Sequence, residues 1–340
     1  MKASDIKVGA IGYGGAFNMG SAHLNAMKDA GMTPVAVCDT DASRLEVARK
    51  DFPGIETYTS VAQMLKKSDV GLLAIITPHN THAKLAVQCL DAGKHVVCEK
   101  PLAITTAECD KMIAAAKKNK AVISTYHNRH WDGCILQAVK MVKKQNVVGD
   151  VVRIQACMGG YGKPGPWWRS SKSISGGILY DWGVHVLEYT LQLMDAEIAE
   201  VTGFAKNGVW ASKTPWKEDT NEDEGHIFVR YTNGTWSSLT MSSIDMAPRG
   251  GLLQVTGTKG TYIMDHGSWT LIQRKSGNQV TTKGRNPDGE YRHFYNNIAD
   301  HLVKGTKLLI TPEWARRPIH IIDLACQSAK LGKSLKAKYK

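Results

Sequence analysis

The stretch Lys94-His95-Val96-Val97-Cys98-Glu99-Lys100-Pro101 joins a short apolar run to a charged pair and a proline. Valine and cysteine favour a β-strand that is covered on both faces, and such strands belong to parallel sheets with helices packed over them. In open sheets of that kind, ligands bind in the crevice outside the carboxyl ends of the strands. Glu99, Lys100 and Pro101 are therefore predicted to lie at the rim of a ligand site.

Similar apolar runs occur on both sides of this stretch, and helical patterns separate them. Strands are predicted at 6–11, 34–38, 70–76 and 121–126. Helices are predicted at 81–92 and 105–119, where apolar residues recur at i, i+3, i+4 and i+7. Strands that alternate with helices indicate a doubly wound parallel sheet of the α/β Rossmann type. This first domain is predicted to comprise residues 1–127.

The first strand runs directly into the glycine turn Gly12-Tyr13-Gly14-Gly15. Glycines there allow a tight turn and a close approach of the backbone to a phosphate, which rests on the N-terminus of the next helix. Phe17 occupies the place of the third glycine in G-x-G-x-x-G, so the segment 20–23 is predicted to supply the missing turn after a short insertion. Taken alone, this motif is equally compatible with a plain glycine loop.

Asp39 follows the second predicted strand and lies 25 residues beyond Gly14. A carboxylate at that strand tip can accept both ribose hydroxyls of an adenosine and would repel a 2′-phosphate. NAD is therefore favoured over NADP. Arg44 could reach a phosphate, which leaves NADP possible.

The pattern changes after Asp150, where strands follow one another with little helix between them. Asn233-Gly234 is typical of a hairpin turn. A second domain of α+β type over 128–340, with a mostly antiparallel open sheet, is therefore predicted. Its strands are expected at 151–158, 201–206, 226–231, 235–242, 252–256, 261–264 and 270–274. A helix is expected at 132–145 and an exposed polar loop at 212–225. A last helix is expected near 313–335, where it packs back on the first domain.

A helical segment of this half, 176–194, carries a polar stripe. Asp181, His185, Glu188 and Gln192 stand at i, i+4, i+7 and i+11. Such a stripe is compatible with a solvated helix face. However, the segment contains three glycines, which weaken a helix and are expected where the backbone must approach another group closely.

The overall composition excludes several classes of protein. The chain has 340 residues and a formal charge of +12, but its lysines lie on helix backs and at the tail without interleaved aromatics, so a solvated basic surface or attraction of anionic ligands is favoured over nucleic-acid binding. Seven scattered cysteines without C-x-x-C spacing favour reduced thiols over disulfides or a metal site. No signal peptide or membrane-spanning run is evident, so a cytoplasmic protein is expected.

Four features in combination resemble the glucose–fructose oxidoreductase and inositol dehydrogenase (Gfo/Idh/MocA) family, and the resemblance covers nearly the whole chain. The features are Gly12-x-Gly14-Gly15, Thr77-Pro78…His82, Glu99-Lys100-Pro101 and Gly176-Gly177…Asp181-x-x-x-His185. One departure is His130, which stands where the family has a second arginine after Asn128-Arg129.

The resemblance implies a nicotinamide dinucleotide on the first domain and a sugar, cyclitol or related polyol on the open sheet of the second. It also implies a homodimer or homotetramer that forms through that sheet. The catalytic residues carried over are Lys100, Asp181 and His185. The cofactor-binding residues carried over or predicted above are Gly12, Gly14, Gly15, Asp39, Thr77, Pro78, His82, Glu99, Lys100, Asn128, Trp168 and Arg169.

These residue types suit the oxidation of a secondary alcohol. Histidine, whose ordinary pKa is about 6.5, can take the hydroxyl proton near neutrality, and Asp181 could orient its ring or hold a neighbouring hydroxyl. Lys100 could hydrogen-bond the substrate oxygen and polarise the carbonyl in the reverse direction.

Two other functions are also compatible with the sequence. One is an NAD-retaining glycosidase or lyase that acts by oxidation, elimination and reduction, with Tyr161, Trp167 and Trp168 stacked on sugar rings. The other is a non-catalytic dinucleotide sensor.

Overall fold

The computed structural model describes residues 1–14 and 18–338, so Gly15 and Phe17 of the glycine turn lie outside the described residues. The chain divides into two compact units. The first comprises Met1–His127 and Arg292–Arg316, and the second comprises Asn128–Tyr291 and Arg317–Lys340.

Strands and helices alternate along the first unit. Its strands are β1 (Lys7–Ile11), β2 (Thr33–Cys38), β3 (Glu56–Tyr58), β4 (Leu72–Ile75), β5 (His95–Cys98) and β6 (Ile123–Thr125). Its helices are α1 (Met19–Asp29), α2 (Ala42–Asp51), α3 (Val61–Lys67), α4 (His82–Asp91), α5 (Thr106–Lys118) and α9 (His293–Lys304), with short 3₁₀ turns at Ala3–Asp5 and His79–Thr81.

The six strands form one parallel sheet in the order β3-β2-β1-β4-β5-β6. Every residue of β4 is buried, as expected for a strand with helices on both faces. The predicted doubly wound parallel sheet is therefore confirmed. Thr105 accepts a hydrogen bond from the backbone N–H of Glu108 at 3.2 Å, which caps α5 as the sequence indicates.

The segment 20–23 is not the turn that the sequence analysis expects. It lies inside α1, where the side chains of His23, Leu24 and Met27 are buried. Their spacing places all three on one face of a helix, and burial of that face favours the helix over a second glycine turn.

The second unit is built mainly of strands. Its strands are β7 (Val151–Gly159), β8 (Ile198–Lys206), β9 (Glu224–Tyr231), β10 (Trp236–Ser242), β11 (Leu253–Gly257), β12 (Gly260–Met264), β13 (Ser268–Lys275), β14 (Asn278–Arg285) and β15 (Leu335–Lys336). Its helices are α6 (Gly133–Ala138), continued by a π-helix at Val139–Lys144, then α7 (Lys172–Ser175) and α8 (Gly183–Leu193), with 3₁₀ turns at Asn128–Trp131, Trp168–Ser170, Ile178–Tyr180, Ala211–Lys213 and Lys217–Asp219.

These nine strands form one sheet in the order β14-β13-β12-β11-β7-β10-β9-β8-β15. Only β7 and β10 pair in parallel, so the predicted, mostly antiparallel sheet is confirmed. Burial alternates along β9 and β10, as expected for a sheet with one covered face. Strands β14 and β15 of this sheet, and β3 of the first unit, were not predicted from the sequence. Helix α10 (Pro312–Leu331) contributes its first turn to the first unit and its remainder to the second.

Two predictions for this unit are wrong in part. The loop 212–225 is not exposed throughout, because Glu222 and Asp223 are buried. The backbone N–H groups of Val209 and Trp210 donate to the Asp223 carboxylate at 2.8 and 3.1 Å, which compensates for its burial.

The interpretation of the 176–194 stripe as a solvated helix face, one of those that the sequence leaves open, is also wrong. His185 and Glu188 are buried, and Asp181 lies in the turn before α8 instead of on its surface. The glycines at 176 and 177 break the helical pattern there, because both have positive φ. Within residues 1–14 and 18–338, no helix is both long enough and apolar enough to cross a membrane.

Candidate active site

The glycine turn after β1 has a backbone that only glycine adopts easily. Gly12 has φ +93°, and a Cβ there would lie 2.4 Å from the carbonyl oxygen of Ile76. Gly14 has φ +90°, and a Cβ there would lie 2.7 Å from Nη1 of Arg44. The turn is therefore closely packed, and its backbone is open to a ligand that needs close approach.

Asp39 follows β2 and braces this turn. Its Oδ2 accepts the backbone N–H of Tyr13 at 2.6 Å, and its Oδ1 accepts that of Asp41 at 2.9 Å. An ionised carboxylate has about four acceptor positions, so it retains capacity for ribose hydroxyls. Arg44 pairs with Asp41 at 3.5 Å, which keeps a guanidinium beside Gly14. A carboxylate and glycines in these places fit the adenosine half of a dinucleotide.

The turn after β4 is tied to the turn after β5 through His82. This buried imidazole has Nε2 at 2.9 Å from the carbonyl oxygen of Thr77 and Nδ1 at 2.8 Å from that of Pro101. The hydroxyls of Thr77 and Thr81 are 2.6 Å apart. His82 thus fixes the Thr77-Pro78 turn relative to the segment that carries Lys100.

Glu99 holds the backbone of Lys100 from inside the unit. Its Oε2 accepts the Lys100 N–H at 2.9 Å, and its Oε1 lies 3.0 Å from Nε2 of His23. The other ring nitrogen of His23 shares a short hydrogen bond with the hydroxyl of Tyr295. Burial alone would raise the pKa of Glu99, but the hydrogen bond and charge of His23, followed by the charge of Lys100, outweigh it and hold that pKa below its ordinary value.

His23 and Tyr295, which support Glu99, were not predicted from the sequence. They are 272 positions apart and meet only because α9 belongs to the first unit. The sequence does show that His23 lies among apolar residues at helical spacing in α1. A histidine in such a place needs a buried polar partner, but the pattern does not identify that partner.

In the second unit, Glu222 braces the turn that leads to α8. The backbone N–H of Ile178 donates to its Oε2 at 3.1 Å, and Nζ of Lys172 lies 2.7 Å from its Oε1. Gly177 has φ +129°, and a Cβ there would lie 2.5 Å from Oε2 of Glu222. The glycine pair thus allows a buried carboxylate to approach the backbone three residues before Asp181.

Asp181 is held by Arg169. Nη1 of Arg169 donates to Oδ1 of Asp181 at 2.7 Å, and its guanidinium lies 4.9 Å from the centre of the Trp168 ring. The side-chain amide of Asn221 donates to the Arg169 carbonyl at 2.7 Å, which fixes the arginine backbone. Arg169 and Asp181, which the sequence predicts for different roles, are therefore in direct contact.

His185 is buried in the first turn of α8, and the Trp182 ring lies beside it with 5.7 Å between ring centres. The guanidinium of Arg129 lies 4.4 Å from the centre of the same tryptophan ring. One turn after His185, the buried Glu188 has its Oε1 2.5 Å from Nδ1 of His130. His130, the departure from the family pattern, thus provides a hydrogen-bond partner for a buried carboxylate one turn after the proposed base.

The class of protein follows from the first unit, whose parallel sheet, glycine turn and strand-end carboxylate are those of a dinucleotide-binding domain. Residues 6–127 match the model of the oxidoreductase family with an NAD-binding Rossmann fold, and residues 136–263 match the C-terminal domain model of the same family, GFO/IDH/MocA. The chain belongs to the Gfo/Idh/MocA family of NAD(P)-dependent oxidoreductases.

Similar proteins of known activity include two inositol dehydrogenases. A scyllo-inositol 2-dehydrogenase (NADP(+)) of Bacillus subtilis is 26% identical over 97% of this chain and 95% of its own length. A myo-inositol 2-dehydrogenase of Thermotoga maritima is 26% identical over 78% of this chain and 77% of its own. The fold of a levoglucosan dehydrogenase, solved with NADH and levoglucosan, superposes with a TM-score of 0.82 at 19% identity over 98% of this chain and 100% of that one.

Proposed function

We propose that this protein transfers a hydride between a secondary hydroxyl of a sugar, cyclitol or related polyol and a nicotinamide dinucleotide. The observation that carries the proposal is the placement of Lys100. It lies at the carboxyl end of β5, its backbone is held by Glu99, and the same sheet presents the glycine turn of a dinucleotide site. In parallel sheets, a cation at that edge faces the ligand crevice.

The acid–base work is assigned to three side chains. Nζ of Lys100 donates a hydrogen bond to the reacting oxygen, which stabilises developing negative charge. His185 takes the hydroxyl proton during oxidation and returns it during reduction. Asp181, held by Arg169, accepts a hydrogen bond from a neighbouring substrate hydroxyl. The bound nicotinamide supplies the hydride acceptor or donor. That all three side chains act on one bound substrate is part of the proposal.

The cofactor contacts are proposed in the same way. Gly12, Gly14 and Gly15 receive the pyrophosphate, and Asp39 receives the adenosine ribose. Thr77 and Pro78 line the crevice after β4, and His82 acts by bracing them. Glu99 acts through the Lys100 backbone. Asn128, Trp168 and Arg169 are assigned to the cofactor on the family resemblance.

The choice of a polyol rests on relatives. Those named by activity include inositol dehydrogenases, and the proteins of similar fold include a levoglucosan dehydrogenase. Because these names describe net redox reactions, the redox-neutral glycosidase is not favoured.

We also propose that the protein is a homodimer or homotetramer that forms through the outward face of the nine-stranded sheet. That face presents Phe204, which is 63% exposed, and a stacked pair, Phe228 and Trp236, with ring centres 4.8 Å apart. Aromatic clusters on an exposed sheet face are typical of protein interfaces. Phe228→Asp should reduce the mass measured by analytical ultracentrifugation to that of a monomer, and an unchanged mass would contradict the assignment.

The proposed activity is tested by following NADH and NADPH absorbance with a panel of sugars, inositols and sugar acids, in both directions. We expect at least one polyol or its keto form to give stoichiometric cofactor conversion. Cleavage of a glycoside with catalytic NAD and no accumulation of NADH would instead support the alternative. No turnover across the panel, with NAD bound, would support a sensor.

A further inference from the structure

Three potential metal ligands from two distant segments meet in the second unit. Asp132 immediately precedes α6, Cys134 is in the first turn of α6, and His266 lies in the turn between β12 and β13. One carboxylate oxygen, the thiol sulfur and one imidazole nitrogen all lie within 4.8 Å of one another. Neither the assigned family nor the proposed reaction requires this cluster.

Asp132 has a buried oxygen that lacks a hydrogen-bond partner. Its Oδ2 accepts hydrogen bonds from Nη1 of Arg129 at 2.9 Å and from the hydroxyl of Tyr189. The residue is only 4% exposed, and its buried Oδ1 accepts no hydrogen bond of normal geometry from the described residues, although the Tyr291 hydroxyl also interacts with this carboxylate. Asp132 occupies the position before α6 where a carboxylate normally caps the helix, but its side chain makes no capping bond. A buried carboxylate oxygen of this kind is expected to have a partner.

The backbones that present the other ligands are anchored by one neighbouring segment. A Cβ on Gly133, between Asp132 and Cys134, would lie 1.7 Å from the carbonyl oxygen of Pro287, so the start of α6 is in direct backbone contact with that segment. The side-chain amide of Asn286 donates to the carbonyl oxygens of Asp265 and His266 at 2.7 and 3.0 Å. The segment 286–287 therefore fixes both the α6 ligands and the histidine turn.

We propose that Asp132, Cys134 and His266 form a three-ligand site for a divalent cation of the Zn²⁺ type, with a fourth position open to water. Sulfur, nitrogen and oxygen donors together favour zinc and its neighbours over Mg²⁺ or Ca²⁺, which prefer oxygen. A carboxylate and a thiolate bring two negative charges to the ion, although Asp132 shares its charge with Arg129. The ion supplies the partner that Asp132 Oδ1 lacks.

The spacing of the ligand atoms needs only a small adjustment. Tetrahedral zinc, with bonds of about 2.0 to 2.3 Å, places its ligand atoms roughly 3.3 to 3.8 Å apart. His266 is exposed, so its ring can rotate toward the buried pair. The two segments are separated by 132 positions, which is why the scattered cysteines predict no metal site from spacing alone.

The test uses the full-length protein after removal of metals with a chelator and dialysis. Zn²⁺ is added in a calorimetric titration, and Co²⁺ is added while the near-ultraviolet spectrum is recorded. We expect one equivalent of each metal to bind and a thiolate-to-cobalt charge-transfer band to appear. Cys134→Ser should abolish the band, and His266→Ala should weaken Zn²⁺ binding by about 10-fold or more, the usual size of a change in a metal site.

Cys326→Ser is the matched control, because this thiol is partly buried and lies in α10, away from the cluster. It should leave both readouts unchanged. If Cys134→Ser fails to fold because Cys134 is buried, His266→Ala still tests the proposal, since His266 is exposed. No binding, a band that survives Cys134→Ser, or Zn²⁺ affinity unchanged by His266→Ala would each overturn the proposal, and the last would indicate an adventitious ion only. None of these readouts depends on the proposed enzymatic activity.

Discussion

Each unit contains a carboxylate, partly buried in the first unit and buried in the second, that holds the backbone near a proposed catalytic residue. In the first unit, Glu99 accepts the backbone N–H of Lys100. In the second, Glu222 accepts that of Ile178, three residues before Asp181. Neither carboxylate needs to touch a substrate. Both can act by fixing where the catalytic side chain begins, which is the kind of support that active sites require.

The two supports differ in their partners. Glu99 is hydrogen-bonded to His23, which is bonded in turn to Tyr295, and the pKa of Glu99 is held below its ordinary value. Glu222 pairs with Lys172 at 2.7 Å, and it lies against Gly177. The first support should therefore respond to acid, whereas the second should respond to any side chain at position 177.

The largest expected effect comes from substituting the proposed catalytic residues themselves. Lys100→Ala or His185→Ala should lower turnover by about 100-fold or more, the usual size of a general acid–base contribution. The measurement is steady-state kinetics on the best substrate from the polyol panel. Lys84→Ala, an exposed lysine on α4, is the control and should leave turnover unchanged. Full activity in both variants would refute the proposed roles.

Gly177→Ala tests the second support directly. An alanine is strained at the positive φ of this position, and its methyl group would also clash with Glu222. The free energy of unfolding should therefore fall by about 1 to 3 kcal/mol or more. Urea unfolding followed by fluorescence measures this. Gly208→Ala has a comparable φ of +103° with nothing within 4 Å of the added atom, so it isolates the backbone strain. Equal losses in the two variants would show that contact with Glu222 contributes nothing.

Asp39→Ala separates cofactor binding from the chemistry of the second unit. Loss of a charged acceptor for the ribose hydroxyls should raise the Kd for NAD by about 10-fold, measured by NADH fluorescence titration. Asp41→Ala removes the exposed cap of α2, whose Oδ1 accepts the Ser43 N–H at 2.9 Å, and should leave that Kd unchanged. A similar loss in both variants would indicate an indirect effect through the loop.

The smallest expected effect is the acid response of Glu99. Its pKa in the folded protein lies below the ordinary value of 4.5, so it adds stability that is fully present above that value. This contribution is lost as the pH falls through the folded pKa. The difference in unfolding free energy between wild type and Glu99→Gln should therefore shrink on acidification below about pH 4.5.

Denaturant unfolding at a series of pH values measures this difference. Glu313→Gln, an exposed carboxylate of the first unit, should give a small difference that varies little with pH. A Glu99 difference that stays constant down to pH 3 would contradict the proposed support by His23.

The sequence predicted much of the fold because periodicity and turn residues are local signals. The apolar runs after Gly71 and Lys94 are β4 and β5, and the Thr105 cap of α5 is present. The segment 176–194 was misassigned in part, because helical spacing alone could not reveal that the turn before Asp181 is held by Glu222, 44 positions from Ile178. Burial of the loop that carries Glu222 depends on partners that are distant in sequence.

The sequence by itself determined which residue types could serve the proposed activity: two glycines in the turn after β1, a carboxylate after β2, a lysine after β5 and a histidine in α8. Those properties follow from side-chain type and from strand and helix periods, which are local. Only the tertiary structure decided what supports them: His23 and Tyr295 behind Glu99, Glu222 beneath Gly177, Arg169 on Asp181, and His266 beside Cys134. Buried polar groups must find partners wherever the fold brings them, and that requirement leaves no periodic mark in the chain.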